Sequence, residues 1–332
     1  MLPSRKILRC LSALLFVGLS ACVSPPALVE SVPPLPKHER PERAKGYIVA
    51  CGQRFAVDAP VVLWDEAPYY DSTSTTHRFN PRAGRVLAEA GPRLVLGRRE
   101  RDGIPTLQPN SGDLALLREH VTQFVIHYDV CASSRRCFEV LQDMRGLSVH
   151  FLLDVDGTIY QTCDLRETCW HASQANGRSV GVELANIGAY PVSSAAETLS
   201  GWYASDEEGP YLKYPPWFGE TGVRTPGFLA RPRVPERVRG FAHGAEFEQH
   251  DFTAEQYASL AALTAALHEA LALPLEVPRD ALGRVRTDAL SDEELQAWSG
   301  LIGHQHITTR KTDPGPAFDW DHILRSAQRA TP

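Results

Sequence analysis

The sequence lacks an excess of positive charge, and apart from a short N-terminal stretch it lacks long apolar runs. Its 34 lysines and arginines are outnumbered by 40 aspartates and glutamates, which gives a formal net charge of −6 at pH 7. Nucleic-acid binding requires a net basic face, so this balance argues against that class of protein. We find no internal repeat. The 332 residues, 43% of them hydrophobic, are enough for a full globular core in one large domain or two.

The first residues are typical of an export signal. The basic stretch MLPSRKILR precedes LSALLFVGLSA, which is apolar but too short to span a bilayer comfortably. It ends in LSAC, which resembles the cleavage site of bacterial lipoproteins. We therefore expect residues 1–21 to be a signal peptide and Cys22 to be lipidated, which would anchor the chain to a membrane. The alternative is an ordinary signal peptide with an incidental cysteine.

Residues 22–45 are rich in proline and predict a stiff, extended tether between the anchor and the folded part. The residue after Cys22 is Val23 and not aspartate, so retention in an inner membrane is not indicated. In a Gram-negative bacterium, the expected location of this exported lipoprotein is the periplasmic face of the outer membrane.

Five cysteines remain beyond Cys22, in a compartment that we expect to be oxidising. They form two close pairs and one single residue: Cys131 with Cys137, Cys163 with Cys169, and Cys51. Zinc is the alternative use of such pairs, but the spacing is wider than the usual two-residue knuckle. Disulfides are therefore the favoured interpretation.

Patterns of strands and helices alternate after residue 120. VTQFVIHYD, LSVHFLLDVDGTIYQ and RSVGVELAN predict strands, the second with an Asp-Gly hairpin turn. FTAEQYASLAALTAALHEAL predicts a helix that starts with a capping box. We expect a mixed α/β fold with a central β-sheet flanked by α-helices. Residues 121–326 would form the catalytic domain, and residues 46–120 an N-terminal segment packed on it.

Residues 187–238 predict a long loop insertion, rich in proline, glycine and aromatic residues. The aromatic residues argue against disorder. Two interpretations are open. The insertion forms a wall or lid over the substrate groove, or it packs against the segment from Gly46 to His120.

The stretch IGHQHITTRKTDPGPAFDW concentrates polar chemistry around a rigid Pro-Gly-Pro turn. A solvated tail would not need that rigidity, whereas a metal site would need both the ligands and the turn. His304 and Asp313 in this stretch, with His127 at the end of a strand, supply two imidazoles and one carboxylate. Such a set suits a catalytic zinc ion with an open coordination position. Taken singly, a histidine at the end of a strand is more often a surface or core residue than a ligand, so the prediction depends on the joint presence of these residues.

Two further residues complete a hydrolytic site. Glu183 lies in the strand VGVELAN, which is apolar on both sides of it. A carboxylate in such surroundings is unfavourable unless it has a function, and we assign it as the general base. Lys311, close to Asp313 in the chain, would stabilise an oxyanion.

The motifs VIHYD, SVHFLLDVDGTIYQ, WHAS, SVGVELAN and GHQHITTRKTDPGPAFDW occur in the order found in zinc-dependent N-acetylmuramoyl-L-alanine amidases of type 2. The sequence resembles this family, which shares its fold with peptidoglycan recognition proteins, from about Thr122 to Trp320 apart from the insertion. The resemblance implies that zinc binds His127, His304 and Asp313.

The resemblance also maps the catalytic glutamate onto Glu183 and the family lysine onto Lys311. It places His150 and His171 near the site as substrate-binding residues. It implies a small disulfide loop between Cys131 and Cys137. One departure is His306, where the family often has aspartate. His306 could compete for the metal, but we expect it to support the ligands or to lie at the surface.

The implied activity is hydrolysis of the amide between N-acetylmuramic acid and L-alanine in peptidoglycan or its fragments. The alternative is a recognition module that binds peptidoglycan without cutting it, although relatives of that kind typically lack a metal ligand. A third possibility is a zinc hydrolase that acts on another amide.

Overall fold

A computed structural model of the chain describes residues 45–67, 69–79, 97, 100–101 and 114–330. The predicted signal peptide, Cys22 and almost all of the tether lie outside these residues, as does much of the N-terminal segment between residues 80 and 113. None of the helices in the described part is both long and apolar enough to cross a membrane.

A six-stranded mixed sheet forms the centre of the structure, as predicted. Its strand order is β13-β4-β7-β5-β6-β3. The four strands from β13 to β5 are parallel, β6 pairs antiparallel with β5, and β3 pairs parallel with β6 at the edge. The strands are β3 (Val61–Val62), β4 (Gln123–Tyr128), β5 (Phe151–Leu153), β6 (Ile159–Gln161), β7 (Ser179–Leu184) and β13 (Gly300–Gly303).

Strand β4 lies at the centre of the parallel part and is buried at every position. A strand that is buried on both faces has apolar residues at nearly every position. QFVIHY follows this pattern and not the alternation of apolar and polar residues that is typical of a half-exposed strand. Because β4, β7 and β13 run in the same direction, their C-terminal ends lie at one edge of the sheet. That edge receives His127 from β4, Glu183 from β7 and the chain that follows β13.

Helices cover the sheet: α1 (Leu114–His120), α2 (Ser134–Phe138), α3 (Val192–Trp202), α4 (Ala254–Leu271), α5 (Asp292–Ala297) and α6 (Trp320–Ala330). A π-helical stretch, Glu139–Arg145, continues α2. Helix α4 is the predicted helix, with the predicted capping box between Thr253 and Gln256. Most of α4 is buried in the main core, together with Phe124, Phe151 and Phe318.

The N-terminal segment is joined to the sheet by backbone pairing. The hairpin β1 (Gly46–Ala50) and β2 (Gln53–Val57) precedes β3, which pairs with β6. The Gln161 side chain bonds both backbone groups of Val49, and the Asp164 carboxylate accepts the N–H groups of Cys51 and Gly52. The described residues from 45 onward therefore share one core with residues 114–330.

The first half of the predicted loop insertion forms regular secondary structure, whereas residues 213–237 contain no helix or strand, as the loop prediction expected. The first half contains β8 (Tyr190–Pro191), helix α3 and the hairpin β9 (Tyr203–Asp206) and β10 (Gly209–Leu212). Strands β11 (Val238–Ala242) and β12 (Ala245–Gln249) follow, and β12 pairs with β8 in a small antiparallel sheet. Leu199 and Leu212 pack in a separate small core. The apolar residues of this segment are few and are separated by prolines and glycines. The sequence therefore shows no clear helix or strand periodicity there.

We expect Thr253→Ala to destabilise the fold. The Thr253 hydroxyl accepts the Gln256 N–H (3.0 Å) and donates to the buried Val155 carbonyl (2.7 Å). Loss of the cap and of the partner of a buried carbonyl should lower the free energy of unfolding by about 2–3 kcal/mol. Urea unfolding of Thr253→Ala against Thr253→Ser, which keeps the hydroxyl, measures this. Equal stability of the two variants would contradict the assignment.

Candidate metal centre and active-site cavity

Three predicted ligands meet at the C-terminal edge of the parallel strands. Asp313 Oδ2 lies 2.7 Å from His127 Nδ1 and 3.1 Å from His304 Nδ1. One ligand atom from each residue lies within 4.8 Å of the others, and all three residues are buried. Two imidazole nitrogens and a carboxylate oxygen are the donor set of catalytic zinc sites, so these residues fit Zn²⁺.

The protonation states also suit a cation. Burial lowers the pKa of His127 to about 4, so its imidazole is neutral at pH 7. Burial alone would raise the pKa of Asp313, but hydrogen bonds from His127 and His304 hold it below its ordinary value. An ionised carboxylate beside the neutral imidazole of His127 suits metal binding, because metal ligands must be deprotonated.

Glu183 is the register partner of His127 in the adjacent parallel strand, and it lines the same cavity. Burial raises the pKa of Glu183 well above its usual range, and the charges of Asp313 and Asp129 raise it further. Its Oε2 atom is buried and has no hydrogen-bond partner among the described residues. An unpaired buried carboxylate oxygen is costly, which indicates a functional role for Glu183.

The segment that carries Asp313 is held in place from two directions. The Gln305 N–H donates to the Asp313 carbonyl (3.0 Å). On the other side, the Gln249 amide donates to the Pro314 carbonyl (3.1 Å) and accepts the Ala317 N–H (3.2 Å). Gly315 has φ +84°, and a Cβ there would lie 2.2 Å from Gln249 Oε1. Sequence reasoning missed Gln249, because no local motif marks it.

His306 is fully buried and cannot compete for the metal in this structure. Its Nδ1 accepts the Gly303 N–H (2.9 Å), and its Nε2 donates to the Arg286 carbonyl (2.7 Å). Both ring nitrogens are therefore occupied. The side chain fixes the turn that presents His304, in line with the expected supporting role.

His171 lies beside the triad. Its Nδ1 atom is 3.0 Å from His127 Nε2, and it lines the cavity. Gly181 makes this placement possible, because a Cβ at that position would lie 2.4 Å from the His171 ring. Glycine in a strand interior often marks such a close approach, so the sequence carried a signal for it.

His150 does not line the cavity, so the expectation that it contacts substrate is not met. It is completely buried, its Nδ1 accepts the Gly181 N–H (3.2 Å), and its Nε2 donates to the Glu167 carbonyl (3.1 Å). Its ring packs edge-on against His171 at 5.7 Å. His150 therefore packs against His171 from the buried interior of the protein.

Cys131, Cys137, Cys163 and Cys169 are thiols in this structure, although both predicted pairs are adjacent. The sulfurs of Cys163 and Cys169 lie 3.5 Å apart, beyond the about 2.05 Å of a bond. Cys131 packs against the apolar cluster that contains Cys137. Disulfide formation stays a prediction.

His150, Cys163 and Cys169 form a second buried group whose ligand atoms lie close enough for a metal. The buried guanidinium of Arg101 lies 3.3 Å from His150 Nε2. A positive charge at this distance opposes a second cation, so the triad is the better metal site.

The triad lies in a cavity of about 590 Å³. One part of its lining is basic, with Arg136, Arg145, Arg310 and Lys311. Lys311 is exposed, and its backbone carbonyl accepts a hydrogen bond from His243 (2.8 Å). The structure therefore brings Lys311 into the cavity with Glu183 and the three ligands. Trp202, Trp217 and Phe218, from the insertion, also line it.

Residues 117–210 match the family model described as Amidase_2, N-acetylmuramoyl-L-alanine amidase. This part of the chain is similar to that family. The match includes His127, His171 and Glu183. His304, Lys311 and Asp313 lie beyond it in sequence, but the fold brings them to the same cavity.

Among solved structures, the chain is similar to the crystal structure of a selenomethionine derivative of AmpD. The two chains are 19% identical with a TM-score of 0.30, over 63% of this chain and 86% of that one. No curated protein matches the sequence.

We expect Zn²⁺ to stabilise chelator-treated protein against heat. A ligand that binds only the folded state at 100 times its Kd adds about 2.7 kcal/mol. His304→Ala removes one donor of the triad and should abolish the rise in Tm. His120→Ala serves as control, because that ring bonds the Leu116 carbonyl within its own helix. Differential scanning calorimetry with and without Zn²⁺ checks this, and an undiminished rise in His304→Ala would refute the site.

Proposed function

We propose that this protein is a zinc-dependent N-acetylmuramoyl-L-alanine amidase. It hydrolyses the amide between the lactyl group of N-acetylmuramic acid and the L-alanine of the stem peptide. The observation that carries the proposal is the convergence of His127, His304 and Asp313 in one cavity with Glu183, whose Oε2 atom has no hydrogen-bond partner among the described residues. The Amidase_2 match supports the choice of bond.

His127, His304 and Asp313 would hold the zinc ion, which when bound supplies Lewis acidity for amide hydrolysis. Glu183 accepts a proton from the attacking water as the C–O bond forms. It then delivers that proton to the leaving nitrogen of L-alanine as the C–N bond breaks.

Lys311 stabilises the negative charge that develops on the carbonyl oxygen. Its ammonium group is the cation nearest in sequence to Asp313, and both residues line the cavity. A positive group aimed at a developing oxyanion lowers the barrier because the charge is absent from the ground state. The other basic residues of the lining favour an anionic substrate, and stem peptides carry free carboxylates.

The complete ligand set favours an enzyme over a recognition module that only binds. For the location, we propose an exported lipoprotein anchored through Cys22, on the strength of the N-terminal sequence pattern alone. That anchor would hold the amidase domain near the peptidoglycan of the periplasm.

We expect Glu183→Gln to retain zinc but to lose turnover. The substitution keeps the shape of the side chain and removes the proton acceptor, so kcat should fall by about 10²–10⁴. Glu246→Gln, at an exposed position of β12, serves as control. Zinc content by atomic absorption and kcat are measured on the same preparations. Near-normal kcat in Glu183→Gln would exclude the proposed mechanism.

Digestion of purified sacculi tests the activity itself. Mass spectrometry should detect free stem peptides that start with L-alanine, lost on chelation and restored by Zn²⁺. Binding to sacculi without peptide release would instead identify a recognition module.

A further inference from the structure

An exposed group of aromatic rings lies beside the metal ligands, and no step of the proposed mechanism uses it. Trp217 is 70% exposed, and it lines the catalytic cavity together with Trp202 and Phe218. Trp202 meets Trp217 and Phe218 edge-on, with ring centroids 5.6 and 5.9 Å apart. We name these three residues the aromatic wall. It belongs to the insertion: Trp202 lies within the residues that match the Amidase_2 model, whereas Trp217 and Phe218 lie beyond them.

The segment that carries the wall is fastened to the scaffold on both sides of Trp217. Before it, the Tyr214 hydroxyl donates to the Ala132 carbonyl (2.8 Å), next to the end of β4. After it, the backbone of Gly222 packs so closely on Arg135 that a Cβ would lie 2.8 Å from that side chain. The Phe218 N–H donates to the Pro215 carbonyl (2.9 Å) and closes a turn around Trp217. The indole is therefore exposed on a fixed support.

Exposure of this kind has a physical cost that binding would recover. A tryptophan side chain offers one of the largest apolar surfaces of any residue, and folding has left most of it in water. Large exposed aromatic groups beside a cavity with convergent polar residues are typical of ligand-binding surfaces.

The chemistry of the proposed substrate indicates which part of it contacts the aromatic wall. In the substrate of the proposed reaction, the lactyl group links the scissile carbonyl directly to a sugar ring. A bond held at the triad therefore brings the sugar chain to the cavity walls. The C–H faces of pyranose rings are apolar and flat, while their hydroxyl and acetamido groups lie at the edges. This shape fits a flat aromatic face, whereas stem peptides are short and carry carboxylates, which fit the basic lining instead.

We propose that the aromatic wall is a glycan-binding subsite that stacks on sugar rings of peptidoglycan, with Trp217 as its principal contact. The inference rests on the proposed function for the choice of ligand. It makes the insertion a specificity element: the protein would recognise the sugar chain and not only the muramoyl-peptide bond.

Binding of two separate probes tests the subsite without any need for hydrolysis. The first is glycan chains stripped of stem peptides, and the second is free stem peptides. Isothermal titration of the full chain should show glycan binding that weakens by roughly tenfold in Trp217→Ala, the upper range for one aromatic contact. Trp217→Phe should recover part of the affinity. The control is Phe241→Ala, which removes a 56% exposed ring on β11 outside the cavity.

The outcomes separate this inference from the activity. Equal glycan affinity in Trp217→Ala and Phe241→Ala would overturn the subsite even if sacculi are cleaved normally. Weaker binding of free stem peptides, with glycan binding intact, would overturn it as well. A Trp217-dependent loss of glycan affinity in a protein that releases no peptide would support the subsite and refute the amidase. Because Trp217 is exposed, thermal unfolding of Trp217→Ala should match wild type, which shows that any loss of affinity is local.

Discussion

The active-site geometry depends on the parallel pairing of β4 between β13 and β7. Parallel neighbours end at the same edge of a sheet, so three distant stretches of chain deliver their side chains to one place. His127 and Glu183 face each other as register partners, and β13 leads directly into the turn that presents His304. A shift of register in any of these strands would separate the ligands from the base, because side chains alternate between faces.

Burial determines the electrostatics of the site. It keeps His127 neutral, while hydrogen bonds from two histidines keep Asp313 ionised. The same burial raises the pKa of Glu183 and leaves one of its oxygens without a described partner. A cation held by the three ligands would relieve these costs, because it would compensate the carboxylates in a place that water does not solvate. The protein thus keeps ionisable groups whose burial is unfavourable for folding but which suit the proposed hydrolysis.

Buried supports outside the triad make this arrangement rigid. His306 and Gln249 hold the two ends of the turn around Asp313, and Gly181 leaves room for His171, which rests on His150. The insertion adds a different element to the same scaffold. Its own small core and its anchor from Tyr214 to Ala132 fix the aromatic wall without disturbing the sheet. The sheet, the candidate catalytic residues and the aromatic wall are therefore supported by different parts of the structure, and they meet in one cavity.

The sequence by itself determined the elements with strong local signals. The strands VTQFVIHYD and RSVGVELAN, the Asp-Gly hairpin and the capped helix α4 were predictable because apolar pattern, turn residues and caps act within a few positions. The predicted ligands and Glu183 followed from residue types and from the family resemblance. Only the tertiary structure decided that His150 is buried beneath the site, that Gln249 supports Asp313, and that residues 190–212 form a helix and strands. It alone also placed Trp217 in the cavity. These features depend on contacts between residues far apart in the chain, which no local pattern encodes.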